Sequence, residues 1–308
     1  MLDPDMVAVL ERLRDAPAME TMSLAELRAG MLPMPPESRP AVGRIEDRVL
    51  PGNVPVRLYR PEAPTRGQLM VYFHGGGFVI GNLETHDHVA RDLCRAAGCT
   101  VMSVDYRLAP EHRFPAGVED CLTSTEWAFD NAISLGCSPA EIVLAGDSAG
   151  ATLAAVTALK LRDAGRRQVS GQVLVYPVTD YHTPPTRSYL ENGAGFSLTR
   201  GAMIRFWDEY LASPDQARHP DASPLNADDL GRLPPTLIFT AEFDPLRDEG
   251  EAFAAKLERH GTPVDLVREA GLIHGFLRMA ATSRRAREVF SHIGEWVGRL
   301  PPAGPLPS

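Results

Sequence analysis

A serine sits between glycines in Gly146-Asp147-Ser148-Ala149-Gly150, and the flanks of this stretch differ in character. Residues 141–145 are a short apolar run with the look of a buried strand, and residues 151–161 are rich in Ala and Leu and read as a helix. A serine on a sharp strand-to-helix turn has its hydroxyl pushed out above the sheet with a helix starting behind it, which is the geometry of a nucleophile. The plain alternative is a helix N-terminus with Ser148 as its cap. A nucleophilic serine needs a base, and the base needs an orienting carboxylate. In this architecture both follow the serine in the order acid then histidine, each just after a strand. Asp244 follows an apolar run at 236–240, and His274 lies shortly after one at 264–267. Alone, Asp244-Pro245 reads as a helix cap and His274 as a polar loop residue. Together with the serine turn they make a Ser-His-Asp constellation.

A second chemical feature precedes these. The apolar run 69–73 ends in His74-Gly75-Gly76-Gly77-Phe78. Three successive glycines cost backbone entropy, so they call for a reason beyond a flexible turn. Phosphate binding does not fit, because no Gly-Lys-Ser/Thr follows and no dinucleotide-type glycine pattern opens a helix here. Backbone N–H groups of Gly75, Gly76 and Gly77, with that of Ala149 after the serine, are what an oxyanion hole requires. His86 and His88, beside Asp87, raise the thought of a metal, but no third ligand follows at suitable spacing, and no metal or cofactor is expected.

These groups are carried by an alternation of elements. Residues 44–50 and 54–59 read as an antiparallel pair around Pro51-Gly52-Asn53. Strands at 69–73, 100–105, 141–145, 172–176, 236–240 and 264–267 then alternate with helices at 85–97, 116–135, 151–161, 249–260 and 283–300. That order predicts an α/β fold with a mostly parallel central sheet and crossover helices. Residues 183–215 interrupt the alternation, with a helix at 199–211 carrying Met203, Phe206, Trp207 and Tyr210. An insertion there lies over the carboxyl ends of the strands, so we read it as a lid, with Phe78, Met203, Phe206 and Trp207 as substrate contacts. The alternative is a surface helix whose aromatics belong to the core. Residues 1 to about 40 read as a helical lead-in, rich in Leu and Met, that ends in a proline-rich linker, Pro33-Met34-Pro35-Pro36. They either pack on the domain surface or line part of a pocket, and the two are compatible. The expected organisation is an N-terminal cap segment at 1–45, a catalytic domain at 46–182 and 216–308, and a second cap segment at 183–215.

Bulk properties narrow the class. With 308 residues the chain buries a full core, and its net charge of −9 with only short basic clusters, such as Arg166-Arg167 and Arg284-Arg285, gives nucleic-acid binding no support. No run approaches the roughly 18 apolar residues of a membrane span, and the basic-then-apolar order of a signal peptide is missing. Cys94, Cys99, Cys121 and Cys137 have no metal or redox spacing and read as reduced packing thiols. A cytoplasmic location follows by default.

The stretches His74-Gly75-Gly76-Gly77-Phe78, Asp105-Tyr106-Arg107-Leu108-Ala109-Pro110-Glu111, Gly146-Asp147-Ser148-Ala149-Gly150, Asp244-Pro245-Leu246-Arg247-Asp248 and Ile273-His274-Gly275-Phe276 together resemble the hormone-sensitive-lipase-like (bacterial family IV) esterases of the α/β-hydrolase fold. The resemblance implies Ser148 as nucleophile, Asp244 as orienter, His274 as base, and a cap in two parts. It implies a carboxylesterase acting on short- to medium-chain acyl esters through an acyl-enzyme. Amides, carbamates and lactones are served by the same triad. A non-catalytic receptor on this scaffold is the contrasting class; the gibberellin receptors, which resemble the family, have lost the histidine that His274 keeps here. The resemblance also allows a homodimer through the last strand and helix, although the apolar residues of that helix could all be consumed by the core. One departure stands out. Ala151 and Thr152 occupy positions where the family usually has glycine and asparagine, which implies altered packing behind the serine with activity retained.

Overall fold

The computed structural model describes residues 1–63, 66–165 and 167–304. Arg166 of the basic cluster and residues 305–308 of the proline-rich tail lie outside them. Two helices, α1 (Pro4–Leu13) and α2 (Leu24–Gly30), form the N-terminal arm, where the sequence suggested a helical lead-in without dividing it. α2 starts at a capping box, in which Ser23 Oγ accepts from the Glu26 N–H and the Glu26 carboxylate accepts from the Ser23 N–H.

The sheet then begins with β1 (Arg44–Leu50), β2 (Val54–Arg60) and β3 (Leu69–Phe73). It continues as α3 (Asp87–Ala97), β4 (Thr100–Val104), α4 (Ala116–Asn131), β5 (Ile142–Asp147), α5 (Ala149–Asp163) and β6 (Gly171–Val175). The interruption holds two helices, α6 (Arg187–Asn192) and α7 (Arg200–Tyr210), of which the sequence pattern showed only the second. β7 (Thr236–Phe243), α8 (Arg247–Arg259), β8 (Val264–Ile273) and α9 (Arg284–Val297) close the chain.

The strands lie in the order β1-β2-β4-β3-β5-β6-β7-β8. β1 and β2 pair antiparallel, as do β2 and β4, and every later pair is parallel. Helices cover both faces, so the inner strands are buried on both sides and read as unbroken apolar runs. In β3, Leu69, Val71 and Phe73 enter the core on one side, while Met70 and Tyr72 enter the core on the other. The four cysteines are all buried free thiols: Cys121 and Cys137 lie in the first core, Cys94 and Cys99 in the second. Among the described residues, no helix is long and apolar enough to cross a membrane.

β8 is longer than the apolar run that announced it. Its middle carries exposed or half-buried Asp265, Leu266, Arg268 and Glu269, because it is the edge of the sheet and one side faces solvent. Its inner end, Leu272 and Ile273, is fully buried and delivers the chain to residue 274.

Candidate active site

β5 runs two residues further than its apolar core suggested, through Gly146 and Asp147, because Asp147 still pairs with Val175 of β6. The chain then turns within one residue. Ser148 has φ 54° and ψ −124°, a conformation that costs a non-glycine residue about 1–3 kcal/mol and is held only where the surroundings over-determine it. Here they do: the Ser148 N–H donates to Val175 O at 2.8 Å, and α5 starts at the next residue. A side chain at Gly150 would lie 2.0 Å from Phe73 O, so the turn needs glycine there to pack α5 against β3. As N-cap, Ser148 makes no side-chain capping bond, which leaves its hydroxyl free for other partners.

The partner is a histidine 126 residues away in sequence: Ser148 Oγ lies 3.0 Å from His274 Nε2. On the other side of the ring, His274 Nδ1 lies 2.7 Å from Asp244 Oδ2. Asp244 follows the end of β7, is fully buried, and accepts the Leu246 N–H on Oδ1 at 2.8 Å. Two groups from the interrupting segment fix the loops behind: Ser197 Oγ donates to His274 O at 2.8 Å, and Asn192 Nδ2 donates to Asp244 O at 3.3 Å. The Tyr176 ring lies 4.6 Å from the His274 ring.

The glycine loop after β3 stands beside Ser148. Gly76 has φ +126°, and a side chain there would meet Ile80 O at 2.0 Å. The N–H of Gly75 donates to Asp147 Oδ1 at 2.9 Å, so this glycine is not an open donor, contrary to its inclusion among the oxyanion groups. Among the described residues, the N–H groups of Gly76, Gly77 and Ala149 have no such partner. Asp147 was not singled out from the sequence, yet it braces the loop: Tyr72 OH donates to Oδ1 at 2.5 Å, and Tyr176 OH donates to Oδ2 at 3.3 Å. Burial pushes its carboxyl up, against the pull of the Tyr72 and Gly75 hydrogen bonds. His74 is sealed under the loop, stacked on Tyr106 at 4.4 Å, and burial pushes it down to about 4. His86 is likewise buried, 5.2 Å from the His74 ring, and among the described residues no group of three or more His, Cys, Asp or Glu is arranged to hold a metal.

Ser148, His274 and the three loop glycines open on a cavity of about 1150 Å³. Its walls are mostly apolar. The N-terminal arm supplies Leu10, Leu13, Met19, Met22, Leu27 and Met31, and α7 supplies Met203 and Phe206. Phe78 and Trp207, also expected as substrate contacts, do not line it. Phe78 stacks on Tyr210 at 3.9 Å, and Trp207 packs edge-on to Tyr181 at 5.4 Å and is 1 % exposed, so both belong to the core that seats α7. Ala151 is fully buried in the first turn of α5, and Thr152 Oγ1 donates to Val178 O, which ties the helix behind the serine to the loop that follows β6.

This geometry has relatives. A family model described as the alpha/beta hydrolase fold matches residues 70–278. The chain belongs to the hormone-sensitive-lipase-like esterases of the α/β-hydrolase fold. It is 39 % identical over 302 residues to the carboxylesterase NlhH of Mycobacterium tuberculosis, a match covering 92 % of this chain and 93 % of that one. It is 44 % identical over 234 residues to the carboxylic ester hydrolase LipN of the same organism, covering 74 % of this chain but only 62 % of LipN. A solved hyperthermophilic esterase from the archaeon Pyrobaculum calidifontis superposes with a TM-score of 0.90 at 40 % identity, over 96 % of this chain and 97 % of that one. This esterase is accordingly a carboxylic ester hydrolase acting on small-molecule esters.

Proposed function

We propose that this esterase cleaves short- to medium-chain acyl esters with Ser148 as nucleophile, His274 as base and Asp244 as orienter. The observation that carries this is the continuous chain of contacts, Ser148 Oγ to His274 Nε2 at 3.0 Å and His274 Nδ1 to Asp244 Oδ2 at 2.7 Å, opening on an apolar cavity.

The steps follow from the groups present. His274 Nε2 takes the proton of Ser148 as Oγ attacks the ester carbonyl, and Asp244 steadies the imidazolium. The carbonyl oxygen, now negative, is held by the N–H groups of Ala149, Gly76 and Gly77. One such donor contributes about 3 kcal/mol to the transition state. The tetrahedral intermediate collapses and the C–O bond breaks. The alcohol leaves with the proton held on His274, and the acyl group stays on Ser148. Water then attacks with His274 again as base, releasing the acid and restoring the serine.

Residues 1–45 and 183–215 act as a two-part cap over this cavity. The apolar lining from the arm and α7 supports binding of the acyl chain. The test is hydrolysis of para-nitrophenyl esters across an acyl-length series, with Ser148→Ala beside the native protein. Turnover is expected to peak at short or medium chains and to vanish in the variant, whose fold is retained. Turnover that survives in the variant would remove Ser148 from its role, and a peak at long chains would overturn the substrate assignment.

A further inference from the structure

One wall of the cavity is not apolar. Arg278, in the short helical turn after His274, lines the same cavity as Ser148, Gly76 and Asp147. Its Nη2 donates to Leu32 O of the N-terminal arm at 3.0 Å, and its Nε is buried with no partner. Nη1 has no hydrogen-bond partner among the described residues and is not among the buried orphan atoms, so it keeps access to open space. Arg278 also forms no ion pair among the described residues. The nearby carboxylate, Asp147, is already occupied by Tyr72, Gly75 and Tyr176. The rings facing Arg278, His86 and His88, are kept neutral, chiefly by burial. Burial also pulls the guanidinium below its ordinary value, although Asp147 acts to hold it charged. A buried or half-buried guanidinium normally has a carboxylate or phosphate in reach, since its desolvation is otherwise uncompensated.

We infer that Arg278 forms an anion subsite in the substrate cavity and that this esterase accepts esters carrying a carboxylate on their acyl or alcohol part. The inference rests on the ester-hydrolase reading and names a substrate class for it. Arg278 would pair its Nη1 edge with the carboxylate of the bound ester, a charge-assisted contact in a site that excludes water. The rest of the lining is mostly apolar; its other charged side chains, Glu11 and Arg14 of the arm, are solvent-exposed, and Asp147 is already hydrogen-bonded, so a carboxylate enclosed in the cavity depends on Arg278. The carboxylate could stand on the acyl part or on the alcohol part of the ester, and the experiment separates the two.

The acyl arm compares the para-nitrophenyl monoester of adipic acid with a para-nitrophenyl ester of equal chain length ending in isopropyl. The alcohol arm compares meta-acetoxybenzoate with meta-isopropylphenyl acetate. The quantity read is the ratio of kcat/KM for the charged ester to that for its neutral partner. In the native protein the charged ester is expected within about tenfold of the neutral one in one arm. Arg278→Met is expected to lower that ratio about 10- to 100-fold, mainly through KM, the usual size of a lost hydrogen bond to a charged group. Arg278→Lys should recover part of it. If Arg278 serves only to strap the arm through Leu32, both esters of a pair lose activity alike and the ratio does not move, which overturns the inference. So does a native protein that refuses the charged ester in both arms, a measurement independent of whether Arg278→Met folds. A native protein that hydrolyses neither neutral ester fails the ester-hydrolase reading instead.

Discussion

Ser148, Asp244 and His274 stand at the ends of β5, β7 and β8, where buried strands and short backbone hydrogen bonds such as Ser148 N–H to Val175 O set their positions. Met203 and Phe206 stand on α7, over the same cavity, and α7 is tied to the arm by a few long side chains. Arg205 Nη1 donates to Met19 O at 2.6 Å and to Met22 O, and Thr199 Oγ1 donates to Glu20 at 3.1 Å. The arm is tied to the loops that follow β3 and β4 by Arg28, which pairs both ends with Glu111 at 2.7 Å and donates to Ala109 O and Val79 O at 3.0 Å. The floor therefore draws its rigidity from the backbone ladder of the sheet, whereas the roof is held by side-chain hydrogen bonds and by the packing of α7 aromatics on the core. Chemistry built on the floor should be insensitive to changes above it, and substrate choice should follow the roof.

The strongest way to break that division is at Asp244. In the proposed mechanism Asp244→Asn keeps the shape but loses the charge that holds His274 in its working tautomer, so kcat is expected to fall by about 10⁴ with KM little changed. Steady-state kinetics on one para-nitrophenyl ester reads this, and a loss carried by KM would place Asp244 among binding groups. The next largest effect belongs to the roof. A side chain at Gly77 would come within 2.3 Å of the Phe206 ring, so Phe206 rests directly on the glycine loop. Phe206→Ala should cost about 3 kcal/mol of stability and shift the acyl-length preference upward by about tenfold in relative kcat/KM. An equal loss for every chain length would mean that the roof also sets the oxyanion donors, and the division would fail.

Acid tests the floor from beneath. Burial holds His74 and His88 down to about 4, against an ordinary 6.5. The unfolded chain protonates them near 6.5 and the folded chain only near 4. Their contribution to stability is therefore intact above about pH 6.5 and is lost as pH falls toward 4, at about 1.4 kcal/mol per pH unit for each. Urea unfolding of His88→Gln between pH 6 and 4.5 should show a shallower slope by about one proton. An unchanged slope would mean that His88 is protonated in the folded protein. The smallest effect is at the strap: Arg28→Ala should lower overall stability by less than about 1 kcal/mol, since Glu111 is half exposed. Hydrogen exchange in α2 should nonetheless quicken while β5 is unaffected, and quickened exchange in both would join floor and roof into one unit.

The floor was largely readable from the sequence, because a strand, a glycine-flanked serine and a helix are local facts, and chain order together with a place just after a strand points to Asp244 and His274. The roof was readable only in outline. Aromatic residues on several faces of α7 announce burial without saying against what, so Trp207 and Phe78 were expected at the cavity and belong instead to the packing around Tyr210 and Tyr181. α6 escaped notice because it is six residues long and has no apolar repeat. Nothing in the sequence sets Arg278 apart, because the groups around it, Leu32 O of the arm, His86, His88 and Asp147, come from distant parts of the chain. Gly75 was grouped with its neighbours because nothing in three identical residues tells which N–H is consumed by Asp147.

The four thiols divide evenly between the two sides of the sheet, and that gives the molecule a built-in chronometer. A thiol reacts as its thiolate, and burial pushes Cys94 up to about 12 and raises Cys99, Cys121 and Cys137 as well. None can be alkylated at neutral pH while its layer is closed. The rate at which Cys121 and Cys137 take up a reagent counts the openings of one layer, and the rate at Cys94 and Cys99 counts those of the other, in the native enzyme and without an added label site.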